Sequence, residues 1–445
     1  VQDRRHHKGF TQIALKHTKS KGEEVIMKTL KFVPVLLIIA LLFSACAKPT
    51  AAPTAESAAT EAPASSAATE APVVAEDPWG NIVIPAGQSV KIGLSSALAG
   101  GYAVYGTDML NGVDLAIEKF GGSLHGFTVV SDPQDDACEG ASGVTVAEKF
   151  SANPAILGVV GPMCSGSAVP AEDIYAAHNV IMITPSSTAV AVTAQGFENV
   201  FRTVPNDDLQ AEVTVDFLRN ELKLDTLALI HDQSIYGEGL ATAVKDKFIA
   251  AGGTVTSFEG ITRGESDYSA VVLTTIAGNP QAVYFGGMDA EGMKLVVQLR
   301  QANFAGVFFG PDGIKSQPSF ADAAGAAAEG AFMTFGAVGG ATGYDEFVSA
   351  FKTKFGGDPV AYGPGSYDAA TILLQAADSV ATVDAQGNLV IGRKALADAI
   401  RATPFSGITG HLEFDEAGDL KVVSITVFEV KDGVITPSKV YDFGQ

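Results

Sequence analysis

The chain has 445 residues and carries 29 Lys and Arg against 50 Asp and Glu, a net charge of −21. Its first 46 residues hold eight of the basic residues and three of the acidic ones, so the remainder carries a net of −26. That field repels a phosphate backbone and excludes nucleic acid as a partner. Three cysteines cannot build a disulfide-dense scaffold, and seven scattered histidines offer no metal-ligand spacing, so no metal or cofactor is implied.

From Met27 the chain runs through Lys28 and Lys31 into an apolar stretch, Phe32 to Phe43, and then Ser44-Ala45-Cys46. Lysines ahead of a short apolar core, with small residues before a cysteine, make residues 27–45 a secretory signal. The apolar stretch falls short of the roughly 20 residues that span a bilayer. The segment resembles a bacterial lipobox, departing from it where Phe43 replaces an aliphatic residue, and the resemblance implies that Cys46 is lipidated. Residues 1–26 are then leader ahead of the start codon, since Glu23-Glu24-Val25 can be encoded by a purine-rich run like a ribosome-binding site. Residues 46–79 are the anchor and a linker. Their Ala, Pro, Thr, Ser and Glu, with Ser57–Pro63 repeated at Ser66–Pro72, offer no large apolar side chain before Val73 to offset ordering. About 365 residues remain, enough for two domains.

Beyond the linker, strands and helices alternate. Strands are expected at Val90–Leu94, Phe127–Ser131, Ile156–Val160 and Val180–Thr184, with helices at Tyr105–Phe120, Val144–Phe150 and Val169–Ala177 between them. In the first helix Met109, Val113, Ala116, Ile117 and Phe120 share one face, and Gly121-Gly122 stops it. The cycle then repeats. Strands are expected at Leu227–His231, Thr254–Glu259, Ala282–Gly286 and Val307–Gly310, and helices at Gly239–Ala251, Ser269–Ile276 and Glu291–Ala302. Two such series imply an α/β protein with two doubly wound parallel-sheet lobes. The stretch from Gly410 to Val430 reads instead as antiparallel strands joined by turns.

Ligands of open α/β sheets collect at the carboxyl ends of the strands, where loops expose backbone N–H groups and helix N-termini. Those positions hold Ser95–Tyr105, Gly161–Ser167, Pro185–Thr188, Asp232–Glu238, Gly287–Asp289 and Pro311–Gly313. They supply hydroxyls, aromatics and a well-placed carboxylate, but no evident catalytic set.

Seven motifs follow one another in a telling order: residues 106–112 (Gly-Thr-Asp-Met-Leu-Asn-Gly), Asp135–Cys138, Gly161–Pro170, Ile183–Thr188, His231–Leu240, Gly310–Gly313 and Phe414–Leu420. From Val90 onward the chain resembles the type I periplasmic binding proteins of branched-chain amino acid transporters. The resemblance implies two lobes joined by a three-strand hinge and closing on an amino acid, with residues 80–206 plus 336–415 in one lobe and 207–335 plus 416–445 in the other. It implies a monomer outside the cytoplasm, held to the membrane by its lipid alone and serving the permease subunits of an ABC importer. It also implies a disulfide between Cys138 and Cys164, bracing the loop that carries Ser165.

The ligand would be a zwitterion, needing donors for its carboxylate and acceptors for its ammonium. Ser165 and Thr188 offer hydroxyls and backbone N–H groups to the carboxylate. By resemblance, the Ser186 carbonyl and the Thr188 hydroxyl accept from the ammonium, and Ser187 and Met163 belong to the same two loops. Asp312 stands where the family usually has a Glu that caps the ammonium on closure. Tyr105 and Tyr236 match flanking aromatics, Met288 replaces a frequent Tyr, and Tyr362 falls at the rim. The shorter acid and the flexible thioether leave an adaptable apolar pocket. Leu, Ile and Val come first as ligands, with larger hydrophobic amino acids and small amides as alternatives.

Each residue also has a plainer reading. Pro-Ser-Ser-Thr is an ordinary helix N-cap, a lone Asp before Gly is a common turn residue, and the two tyrosines can merely pack near a hinge. A hydrolase would have to use Ser165 or Ser167 with His231 and Asp232, but no nucleophile elbow is present, and a buried His at a strand end suits a structural role. Nucleotide binding fails because Gly101–Thr107 lacks the phosphate-binding lysine. A sensor that presents ligand to a receptor shares every feature of the transporter reading.

Overall fold

The computed structural model describes residues 76–336 and 341–444. The signal, Cys46 and most of the linker lie outside the described residues. Two sheets organise the rest. The first contains β1 (Val90–Ser96), β2 (Phe127–Asp135), β3 (Ile156–Val160), β4 (Met182–Thr184) and β5 (Val200–Arg202) in the order β2-β1-β3-β4-β5, all parallel, with Ser123–Leu124 added antiparallel at the β2 edge. The second contains β6 (Thr226–His231), β7 (Thr254–Gly260), β8 (Ala282–Gly286), β9 (Val307–Gly310) and β10 (Phe332–Gly336) in the order β7-β6-β8-β9-β10, also parallel. Both lobes therefore share one doubly wound order, and each has a topological switch point beside its first strand.

Sequence makes these strands central because both of their faces are apolar. Leu227 and Leu229 of β6 join one buried cluster, while Ala228 and Ile230 join another on the opposite face. Tyr284 and Phe285 of β8 divide in the same way, as period-two geometry requires. Helices α1 (Ala103–Lys119), α2 (Gly140–Ser151) and α3 (Ser165–Ala177) belong to the first lobe, and Met109, Val113, Ala116 and Ile117 of α1 are buried as its spacing foretells.

The antiparallel stretch divides between the lobes. Gly410–Leu412 pairs with Phe405–Gly407, whereas β11 (Val423–Lys431) pairs with β10 and with β12 (Val434–Phe443) at the edge of the second sheet. Among the described residues, the chain passes between lobes in the segment between Leu412 and Val423 and after Arg202, leading into helix α4 (Asp207–Asp216). The sequence pattern leaves α4 unassigned, and likewise the helices Tyr344–Phe355, Gly363–Val380 and Arg393–Ala402. A Gly-Pro-Gly start does not suggest a helix, yet Asp108 supplies one. Its carboxylate accepts from the amides of Val360, Ala361, Tyr362 and Gly363 at 2.9, 3.0, 2.9 and 2.6 Å, fixing where the Gly363 helix begins and where Tyr362 stands.

Candidate functional site

The loops after β1, β3 and β4 face those after β6, β8 and β9 across a cavity of about 470 Å³. Close approach at the switch points requires glycine twice. A Cβ on Gly161, after β3, would meet the Ser95 carbonyl oxygen at 2.3 Å, and one on Gly237 would meet the Gly286 carbonyl oxygen at 2.4 Å.

The first lobe supplies a braced rim. Thr184 Oγ1 and Ser187 Oγ both donate to the Pro162 carbonyl, at 2.9 and 2.8 Å, and Ser186 Oγ donates to the Met163 carbonyl at 2.9 Å. Three hydroxyls thus rivet the β4 loop to the β3 loop. Ser165 opens α3, where it accepts from the Ala189 amide through Oγ at 3.2 Å. The first amides of a helix lack acceptors within it and present partial positive charge, so this end of α3 suits a carboxylate. Cys138 and Cys164 form a disulfide with a Cα–Cα distance of 5.2 Å, and Asp136 accepts from the Cys138 amide at 2.9 Å. Both half-cystines line the cavity.

The second lobe supplies charge. Asp312 is buried and accepts from Tyr236 Oη at 2.7 Å, Gln210 Nε2 at 3.0 Å and Tyr362 Oη at 3.2 Å. Burial raises its pKa, and those three donors pull it back. Gln210 Nε2 also donates to Asp207 Oδ1 at 3.1 Å. Burial above all, and then the charge of Asp312, push the Asp207 carboxyl up to about 8. Gln210 thus ties the acid at the cavity to a second, largely protonated carboxyl behind it, and Asp312 is the group placed to meet an ammonium.

Met163, Ser165, Ser186, Tyr236, Met288, Asp312 and Tyr362 all line the cavity. Tyr105, Ser187 and Thr188 are not among its lining residues. Tyr105 donates from Oη to Asp289 Oδ2 at 2.6 Å, its ring tilted against Tyr362 with centroids 5.6 Å apart, so it props the rim tyrosine. Thr188 Oγ1 is buried without a hydrogen-bond partner, and its carbonyl accepts from the Asp207 amide at 2.9 Å. His231 is buried beside Phe258, ring centroids 4.7 Å apart, and accepts from the Gln233 amide through Nδ1 at 3.3 Å. Ser167 spends its hydroxyl on the Cys164 carbonyl.

Sequence reading missed Tyr102 and Arg263, which also line the cavity. Arg263 Nη2 meets Glu139 Oε1 at 3.0 Å across the lobes, and Tyr102 Oη meets Glu291 Oε2 at 3.5 Å. It missed Asp207 and Gln210 as well. Asn206 followed by two aspartates is a helix N-terminus signal that would have located α4, though not its contact with Asp312.

Two lobes of identical strand order, with a polar-ended cavity between their switch points, define a two-domain protein built to enclose a small solute. A match to the family described as Periplasmic binding protein spans residues 89–434, and the chain belongs to that family. It is 36% identical over 350 residues to the leucine-, isoleucine-, valine-, threonine- and alanine-binding protein of Pseudomonas aeruginosa, an alignment that covers 77% of this chain and 90% of that one. It is 32% identical over 350 residues to the Leu/Ile/Val-binding protein of Escherichia coli, covering 77% and 91%. Among solved structures, a leucine binding protein of Thermotoga maritima superposes with a TM-score of 0.71 at 27% identity, covering 79% of this chain and 98% of that one.

Proposed function

We propose that this chain is the extracytoplasmic substrate-binding component of an ABC importer, capturing a hydrophobic amino acid between its lobes and delivering it to the permease. Leu, Ile and Val are the first ligands. The observation that carries this is the pairing, in one cavity, of the α3 N-terminus with the buried Asp312. One end suits a carboxylate and the other an ammonium, with Met163, Met288 and Ile235 lining the space between lobes. Relatives matched over nine-tenths of their length are named for binding these amino acids, which supports the choice.

Ser165 and Ser186 receive the α-carboxylate and α-ammonium from the first lobe, with Ser187 and Thr188 holding their loop. Asp312, presented by Tyr236 and Tyr362, completes the ammonium site from the second lobe. Ligand docks on the first lobe, and contacts with the second then favour the closed state. No bond is made or broken. Cys46 carries a lipid that tethers the protein through the linker, by the motif around it.

Thermal unfolding of the exported protein against all twenty amino acids and a set of small amides tests the reading. A ligand at 100 times its Kd adds about 2.7 kcal/mol of stability. Shifts confined to Leu, Ile, Val and close relatives are expected. Shifts with amides alone would keep the clamp and reassign its ligand, and no shift with any solute would overturn the proposed site.

A further inference from the structure

The motif Phe414–Leu420 lies in the last passage between the lobes and contributes no residue to the cavity lining. It is nonetheless tightly built. Asp415 Oδ1 accepts from the amides of Ala417, Gly418 and Asp419, each at 2.9 Å, and Phe414 bridges Leu420. This turn aims Asp419 inward, toward two sets of donors.

The first set leads to the ligand loop. Asp419 Oδ1 accepts from Arg202 Nε at 3.0 Å and Nη2 at 2.6 Å, and from Thr193 Oγ1 at 2.9 Å. Arg202, whose side chain is wholly buried, passes this on through Nη1 to the carbonyls of Ser187 and Ala189 at 3.3 and 2.8 Å. Those carbonyls flank Thr188. The second set leads to the acid. Asp419 Oδ2 accepts from Asn206 Nδ2 at 2.9 Å, while Asn206 Oδ1 caps α4 by accepting from the Leu209 amide at 3.1 Å. The same helix start carries Asp207 and Gln210, and Gln210 donates to Asp312. One carboxylate in the hinge thus holds the β4 loop of the first lobe through one oxygen and the helix that braces Asp312 through the other.

We propose that Asp419 is a positioning residue for ligand capture, fixing the hydroxyl-bearing loop at Thr188 and the acid at Asp312 in mutual register across the hinge. It touches no ligand. The inference rests on the amino-acid-binding reading for its consequence in affinity, and on the hydrogen-bond chain alone for its structural content.

Asp419→Asn and Asn206→Ser test it in the full exported protein with its disulfide intact. Asn206→Ser keeps a side-chain cap on α4 and loses the donor to Asp419 while leaving the Arg202 pair whole, so it stays informative if Asp419→Asn does not fold. Hydrogen exchange without ligand reads position directly. Asp419→Asn is expected to speed exchange at the amides of Ser187, Ala189, Asp207 and Gly313, and Asn206→Ser at Asp207 and Gly313 only, with Ile230 and Phe285 of the second sheet unchanged. By calorimetry with leucine, Asn206→Ser should weaken binding about threefold and Asp419→Asn about tenfold. Each, combined with Asp312→Asn, should lose less than the product of the single losses. Uniformly faster exchange with multiplicative losses would reduce Asp419 to ordinary structural support, and wild-type exchange in Asn206→Ser would overturn the proposal. The expected exchange pattern in a protein that binds no leucine would leave the register intact and discard the ligand.

Discussion

The two lobes share a strand order and place their switch-point loops around the same cavity, yet they furnish opposite chemistry. The first lobe presents hydroxyls and helix amides on loops stitched to one another and braced by the Cys138–Cys164 bond. The second presents carboxyls, Asp312 at the cavity and Asp207 behind it, held by tyrosines and a shared glutamine amide. Topology therefore decides where a ligand can sit, and loop residues decide what it can be. Among the described residues, the first lobe's share of the cavity offers hydroxyls and helix amides to a carboxylate and no cation. On the proposed reading, a lobe with a buried acid gains most once an ammonium arrives, and that contact drives closure.

The comparison can be broken from either side. The largest effect is expected from removing the first lobe's brace. Replacing Cys138 and Cys164 together by Ala opens a loop of 26 residues, and should cost about 3 kcal/mol in denaturant unfolding on the loop-entropy scale. Equal stability with and without the bond would mean that the hydroxyl stitches suffice. On the other side, Asp312→Ala should weaken amino-acid binding at least tenfold, about 1.4 kcal/mol, when titrated by calorimetry. Unchanged affinity would remove Asp312 from the site and with it the charge asymmetry between lobes.

A third test concerns Asp207. Its native pKa of about 8 lies above the value of about 3.9 in an unfolded chain. Between those values the native carboxyl keeps a proton that the unfolded chain has released, so the contribution is full below about pH 4 and is lost as pH rises toward 8. The unliganded protein should lose about 2–3 kcal/mol from this group between pH 5 and pH 7, and Asp207→Asn should flatten that slope. A slope identical in the two proteins would show that Asp207 ionises freely.

Much of this was legible in the chain. Ile156–Val160, Ala282–Gly286 and Val307–Gly310 are strands with the bounds their apolar runs imply, and α1 buries the face its spacing selects. Strand-end loops named most of the cavity's polar residues, because a doubly wound sheet opens only there. Tyr105 shows the limit. Its position in the right loop is readable, but only packing turns its hydroxyl onto Asp289 and leaves Tyr362 at the cavity. Arg263 gave no signal at all, since a single arginine in a loop after an edge strand has no local pattern.

What the sequence by itself determined is whatever repeats along the chain or depends on neighbours: two series of alternating strands and helices, the motif order, and a low-complexity stretch ahead of them. What only the tertiary structure decided is which distant residues share hydrogen bonds. Gln210 and Asp312 are 102 positions apart, and Arg202 and Asp419 are 217 apart. Strand and helix periodicity is fixed by local backbone geometry, whereas pairing across a hinge depends on how two folded bodies pack, and no short stretch of sequence encodes that.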